Sequence, residues 1–570
     1  MTGSARCRAA LARGAAAFAA CAVASAGAPA FGQMAAPASS RPFQLDDAYR
    51  VVSVSNPQIT ADGTRVLITV RSADRDNDRW TRRLDAVRVA DGARTTIPTE
   101  RGFSSPRWSP DGTRIAYIAG HGVWIAGANG TAARRVTDSS YDVVQFAWRP
   151  DGGALAFVAV DGAGTKTGDA KYLDAYAVGN DAALADGPAR PAHLFLQPLD
   201  ETRARALGPR TGSVTSGDAE STLSFTPDGK TLAYVWAPTN LANDAIDARV
   251  HLVDVATAND TPLPGPANEE HDPLWSPDGA RLAYMHSEGD DQLNPEELFL
   301  VAPGAAAQPV SRAVDRAVRD IGWQPGSRAL YFTVTDGTKH VLFRSEDGAR
   351  PRAVDLGPLS IVSGLDGAIA RDGTIAFVGE TASLAPELYL QPAGGGARRQ
   401  LTAYNDALRS LALAAAARIT YHTSVGVDGD AVLVKPPGMQ PGRRYPLVVV
   451  IHGGPTSAST EGFDVLEQSM AARGWLVLEP NYRGSDNLGY AYQHAVQFDA
   501  DAGPGTDVMA AVGAVRARGI VDERRIGVSG WSYGGIMTAW MISKYHLWRA
   551  AVSGASVNDW VTDYGTADDL

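Results

Sequence analysis

The chain has 570 residues, 45% hydrophobic and 20% charged, with 59 Gly, 34 Pro and 2 Cys. This ordinary globular composition excludes wholesale disorder, a collagen-like repeat and a disulfide scaffold. A net charge of −11 without any Lys/Arg cluster speaks against a nucleic-acid partner, and at roughly 100–200 residues per domain the length allows about three to five domains or two large ones.

The first 32 residues read as a signal peptide. Arg6, Arg8 and Arg13 form a basic start, an Ala-rich apolar stretch runs from Gly14 to Ala28, and Ala30-Phe31-Gly32 offers small residues for cleavage before Gln33. The stretch is shorter than the ~20 apolar residues a membrane span needs. Lipoprotein processing at Cys21 is the rival reading, although Phe18-Ala19-Ala20-Cys21 lacks the usual Leu of a lipobox. Both cysteines, Cys7 and Cys21, leave with this leader. No later run is long and apolar enough to span, so the expected product is periplasmic or secreted.

Residues 41–410 repeat one phrase: an aromatic, a Pro-Asp-Gly turn and a short alternating strand. It reads Trp108-Ser109-Pro110-Asp111-Gly112 before RIAYIA, Trp148-Arg149-Pro150-Asp151-Gly152 before ALAFVA, Phe225-Thr226-Pro227-Asp228-Gly229 before TLAYVW and Trp275-Ser276-Pro277-Asp278-Gly279 before RLAYMH. Degenerate copies surround Asp62-Gly63, Pro325-Gly326 and Asp372-Gly373. The spacing is the ~40–50 residues of a propeller blade except between Asp151 and Asp228, where an insertion within 161–190 accounts for the excess. In each copy Pro sets φ, Asp bonds its own backbone and Gly supplies φ > 0, so the chain reverses between two strands. Seven copies predict an all-β seven-bladed propeller, with the aromatics packed between blades.

The pattern changes across 411–570. ITYHTSVG and DAVLVKPPG predict two antiparallel strands; the apolar runs after Pro446, Gly474 and Arg525 predict strands buried on both faces of a parallel sheet. Helical spacing over 463–473 and 506–518 alternates with them, as in an α/β fold.

Gly530-Trp531-Ser532-Tyr533-Gly534 lies between the buried strand at Ile526-Gly527-Val528 and a stretch of helical spacing (Ile536, Ala539, Trp540, Ile542). This strand–turn–helix context is that of a nucleophile elbow, with Ser532 presented above the sheet near the positive end of a helix. Upstream, His452-Gly453-Gly454-Pro455 ends another buried strand. In this arrangement the N–H groups of Gly454 and Tyr533 bind the developing oxyanion. His452 is read as structural, because the base of this fold follows its nucleophile in chain order.

With the repeated SPDG turns, HGGP at 452–455, Asn481-Tyr482-Arg483-Gly484-Ser485, GWSYGG at 530–535 and GASVNDW at 554–560, the chain resembles the prolyl oligopeptidase family of serine peptidases, near its acylaminoacyl-peptidase and dipeptidyl-peptidase-like branch. The resemblance implies a propeller that restricts access to an α/β-hydrolase domain, with short peptides as substrates, Ser532 as nucleophile and Gly454 and Tyr533 as oxyanion donors. It also implies a catalytic Asp and His after two further strands. None of the ten histidines follows His546, and Asp559, Asp563, Asp568 and Asp569 come too early to match. The expectation is an incomplete α/β-hydrolase domain, a truncated chain inactive as it stands; a non-catalytic propeller binding module and an esterase on the same fold are the alternatives.

Nothing points to a metal or other cofactor. Asp74-Arg75-Asp76-Asn77-Asp78 begins like a calcium loop but has Arg79 where Gly is needed and Asp85 where a bidentate Glu belongs, and reads as a surface loop. Glu269-Glu270 resembles the acidic pair that holds a substrate N-terminus in some dipeptidyl peptidases of the family, but its surroundings fit a solvated loop better. The preferred substrate residue, the exopeptidase or endopeptidase choice and the oligomeric state are not legible.

Overall fold

Each Pro-Asp-Gly turn joins the first two strands of one antiparallel blade, which makes the repeat count a blade count. The computed structural model describes residues 40–162, 190–215, 223–265, 269–289, 293–326, 328–393, 395–559 and 561; the expected leader, most of the expected insertion, and Asp563, Asp568 and Asp569 lie outside the described residues. The seven blades occupy 53–97, 104–135, 142–207, 213–262, 271–309, 318–353 and 360–400.

The turns seal themselves. In the second blade Gly112 has φ +68° and its N–H donates to the Ser109 carbonyl at 2.8 Å. The Asp111 carboxylate accepts from the Ser109 hydroxyl at 2.5 Å and the Thr113 N–H at 3.0 Å. The aromatics do pack between blades. Trp108 Nε1 donates to the Gln58 carbonyl of the preceding blade, and Trp323 Nε1 to that of Leu274. Arg65 lies over the Trp108 ring and donates to the Gly112 carbonyl at 2.8 Å, so the turn face is stitched across the seam.

Apolar clusters fill every seam, including Val66, Ile68 and Val70 of the first blade against Ala376, Val378 and Leu388 of the last. Each blade takes its strands from one continuous stretch of chain, so packing closes the ring without a shared strand.

Beyond the blades lies a six-stranded sheet: β1 Ala415–Tyr421, β2 Gly429–Lys435, β3 Tyr445–Ile451, β4 Leu476–Asn481, β5 Val521–Trp531 and β6 Ala550–Gly554, in the order β1-β2-β4-β3-β5-β6. β4, β3, β5 and β6 are mutually parallel; β1 and β2 join antiparallel. Helices α1 (Val465–Ala472), α2 (Ala502–Arg516) and α3 (Tyr533–Lys544) complete the layers. Alternation along β2 and β4 explains the three-layer arrangement. Ala431, Leu433, Leu476 and Leu478 face α2 and α3, whereas Val432, Val434 and Val477 face α1.

Two readings change. The helix expected over 506–518 begins at Ala502, because Pro504 falls in the first turn, where backbone N–H groups have no helical acceptor. Glu269-Glu270 is not a solvated loop: Glu270 is 4% exposed, its carboxylate accepts the Val250 N–H at 2.8 Å, and burial pushes its pKa up. The Asp74 loop is the tip of a hairpin, its carboxylate held by Arg79 and Asn77. No helix among the described residues is long and apolar enough to cross a membrane.

Candidate active site

Ser532 stands between the end of β5 and the start of α3 with φ +55° and ψ −125°, a conformation that side-chain-bearing residues rarely adopt. Three backbone hydrogen bonds hold it there. Its N–H donates to the Gly554 carbonyl of β6 at 3.0 Å, and its carbonyl accepts from Gly535 at 2.8 Å and Ile536 at 3.1 Å. The flanking glycines are sterically required. A Cβ on Gly530 would overlap the Gly534 carbonyl, one on Gly534 the Ile451 carbonyl, and one on Gly535 the Gly554 carbonyl. Ser532 itself is exposed at the carboxyl ends of the parallel strands.

The His452-Gly453-Gly454-Pro455 loop lies against this turn. A Cβ on Gly453 would sit 3.2 Å from Ser532 Cβ and 3.0 Å from the Trp531 carbonyl, so a larger residue would push the loop a few tenths of an ångström off the turn. Gly454 has φ +119°, again a glycine conformation. Tyr533 is the first residue of α3, and its N–H therefore has no acceptor within the helix. The structure thus gathers Ser532, Gly454 and Tyr533 into one corner, with the positive end of α3 beneath the serine.

A column of rings braces the corner. The Tyr533 ring stacks on Tyr482 at 5.7 Å, and Tyr482 stacks on His452 at 4.4 Å. The Tyr482 hydroxyl donates to the His452 carbonyl at 2.7 Å, and that of Tyr533 to the Ala500 carbonyl at 2.5 Å. His452 Nε2 lies 2.9 Å from Ser485 Oγ, and burial brings the imidazole pKa down to about 4. His452 is therefore neutral near pH 7 and occupied in holding the strand ends together.

Arg483 completes the brace. It forms a two-pronged pair with the buried Asp507 of α2, Nε to Oδ2 at 2.8 Å and a terminal nitrogen to Oδ1 at 2.8 Å.

The same segment meets the propeller. Arg319 of the sixth blade donates to Asp486 Oδ2 at 2.7 Å, and Asn487 Nδ2 to the Gly337 carbonyl at 2.8 Å. The Asp486 N–H in turn donates to the carbonyl of Ser457, two residues past Pro455. Blade six is thereby linked through one loop to the corner that holds Ser532.

His546 is exposed beyond the end of α3, and Asp559 is exposed and accepts the Val561 N–H at 3.1 Å. Among the described residues no histidine or carboxylate pairs with the Ser532 hydroxyl, and no group of three or more His, Cys, Asp or Glu could hold a metal. Sequence reasoning missed the bracing role of Tyr482. An aromatic directly after a buried strand, as in Asn481-Tyr482-Arg483, was the available signal.

Comparison with known proteins follows the same lines. Residues 462–570 match the model of the prolyl oligopeptidase family. An uncharacterized peptidase of Bacillus subtilis, YuxL, is 27% identical over 92% of this chain and 83% of its own length. Dipeptidyl-peptidase 5 of Porphyromonas gingivalis is 23% identical over 91% of this chain and 79% of its own. Among solved structures, the acylaminoacyl peptidase of Pyrococcus horikoshii superposes with a TM-score of 0.75 at 20% identity, covering 92% of this chain and 81% of that one.

Proposed function

We propose that the chain is a serine peptidase of the prolyl oligopeptidase family and that its reaction is hydrolysis of short peptides through an acyl-enzyme on Ser532. The observation that carries this reading is the strained Ser532 corner, with the Tyr533 N–H at a helix start and Gly453-Gly454 packed against it. In the proposed cycle Ser532 Oγ attacks the peptide carbonyl as its proton passes to a general base, which the described residues do not supply and which returns it to the leaving amine. The oxygen of the tetrahedral intermediate accepts from the N–H groups of Gly454 and Tyr533. Collapse expels the amine, and water then releases the acyl group. The propeller, joined to the site loop through Arg319 and Asp486, is read as the barrier that admits short peptides and rejects folded proteins. We also read the chain as exported, on the leader-like character of residues 1–32.

The test is labelling by a fluorophosphonate probe together with turnover of peptide anilides. Labelling of the 570-residue chain that is lost in Ser532→Ala supports a working hydrolase, against the inactivity expected of a chain without the triad Asp and His. Turnover that survives Ser532→Ala removes the serine mechanism, and a chain that takes no label returns the reading to a propeller binding module. Preference for simple esters over anilides makes the enzyme an esterase.

A further inference from the structure

The peptide unit that joins Gly453 to Gly454 lies between two residues without side chains, so steric contact alone leaves its plane free to turn. Its polar ends point in opposite directions across one planar group, the Gly453 carbonyl to one side and the Gly454 N–H to the other. Whatever fixes the carbonyl therefore aims the N–H. Among the described residues the Gly454 N–H has no acceptor, which leaves it to an oxygen brought by the substrate. It is one of the two oxyanion donors in the acyl-transfer reading of Ser532, and the inference below rests on that reading.

The carbonyl is held by the preceding side chain. His452 Nδ1 lies 2.8 Å from the Gly453 oxygen. The imidazole is neutral near pH 7, so it has one proton to place, and the atoms around the ring decide where. A carbonyl oxygen accepts and cannot donate. The other neighbour of Nδ1, the Tyr482 hydroxyl at 3.1 Å, spends its proton on the His452 carbonyl at 2.7 Å. Both atoms facing Nδ1 thus offer lone pairs, and Nδ1 carries the proton. Were it on Nε2, lone pairs on three atoms would face one another with no hydrogen between them.

The far side of the ring fits the same assignment. Nε2 lies 2.9 Å from Ser485 Oγ, whose proton it can accept. That hydroxyl is also 2.7 Å from the Tyr482 carbonyl, but this carbonyl already receives the Ser485 N–H at 3.0 Å and is not orphaned when the hydroxyl turns to the ring. Tyr482 stacks on the imidazole with an interplanar angle of 17°, which fixes the ring plane as well as its edge.

We propose that His452, as the Nδ1–H tautomer, sets the plane of the Gly453–Gly454 peptide and so aims the Gly454 N–H at the oxyanion. It is a positioning residue that acts through the backbone. It is not the missing base, because Nδ1 is taken by the Gly453 carbonyl and Nε2 by Ser485.

The test has a structural arm and a kinetic arm. In the full chain grown with isotope-labelled histidine, the ring-nitrogen shifts at about pH 7 show which nitrogen is protonated, and couplings to the ring protons tell the two apart. The His452 signals are those lost in His452→Asn. A proton on Nδ1 is expected; a proton on Nε2 overturns the proposal, whatever the chain does to peptides.

The kinetic arm compares rates of fluorophosphonate labelling. Gln places an N–H near the Nε2 position and loses the hold on the Gly453 carbonyl, whereas Asn places one near the Nδ1 position and keeps it. Labelling is expected to slow roughly 10²-fold or more in His452→Gln, the order of losing one oxyanion donor, with the larger part of the rate returning in His452→Asn. Equal rates in the two variants overturn the proposal, because a residue that merely braces the strand ends would not distinguish them. Should His452→Gln fail to fold, the ring shifts decide. A wild-type chain that takes no label removes the peptidase reading instead, and the ring shifts still decide whether His452 holds the peptide plane.

Discussion

The blade turns and the turn at Ser532 both reverse the chain with a residue at positive φ, but they place that residue differently. In the second blade the positive φ falls on Gly112, and Asp111 and Ser109 close the turn with their own side chains. At the end of β5 the positive φ falls on Ser532, and the glycines at 530, 534 and 535 stand around it to make room. The first arrangement relieves strain where the chain must bend. The second keeps strain on the residue that must be presented, at the cost of three positions that tolerate nothing larger than hydrogen.

Ser532→Ala breaks the comparison most directly. It leaves the turn intact and removes the hydroxyl, and loss of whatever fluorophosphonate labelling or peptide-anilide hydrolysis the chain shows, with an unchanged melting temperature, is expected. Activity that persists would mean the strain serves something else.

Gly534→Ala tests the steric half of the argument. The new methyl meets the Ile451 carbonyl, which sits in the sheet centre and cannot move, so a loss of about 3 kcal/mol or more is expected in urea unfolding of the hydrolase domain. Gly112→Ala meets the Thr60 side chain at 3.5 Å and Arg65 Nη2 at 3.8 Å, both ordinary contacts. Its expected cost is the left-handed backbone alone, about 1–2 kcal/mol, in one blade of seven. Equal costs for the two would erase the distinction drawn between the turns.

Asp111→Ala gives the smallest effect, about 1 kcal/mol, because the group is exposed and its hydrogen bonds compete with water. The Ser109 hydroxyl, then the Thr113 N–H, hold the Asp111 pKa at about 2, against 3.8 unperturbed. Its contribution is therefore present above about pH 4 and lost as the pH falls toward 2. Wild type and Asp111→Ala should converge in stability across that window, a trend readable by acid titration of the circular dichroism.

The propeller was legible because its signals are local. Asp and Gly at fixed offsets dictate the turn whatever surrounds them, and seven strand repeats follow from it, five of them led by a Trp or Phe. The catalytic corner was legible for a related reason: Gly530 and Gly534 are needed by direct backbone contact, which confines the permitted residue types to a short motif. Other features were not local. Gly503, Pro504 and Gly505 look like helix breakers, yet they form the first turn of α2, and the glycines leave room there for Asp499 and Arg483 at 503 and for Trp540 at 505. Glu270 read as solvent-facing polarity, whereas a strand N–H at Val250 needed an acceptor inside the blade.

By itself the sequence determined seven blades, an α/β sheet after them, and a serine held between glycines at the end of a buried strand, since each rests on residues within one turn of each other. Tertiary structure alone decided that Tyr482 would link His452 to Tyr533 and that Arg319 would reach Asp486. Those groups lie far apart along the chain. Only burial brings them close enough for their charges and rings to act on one another, where water no longer screens them.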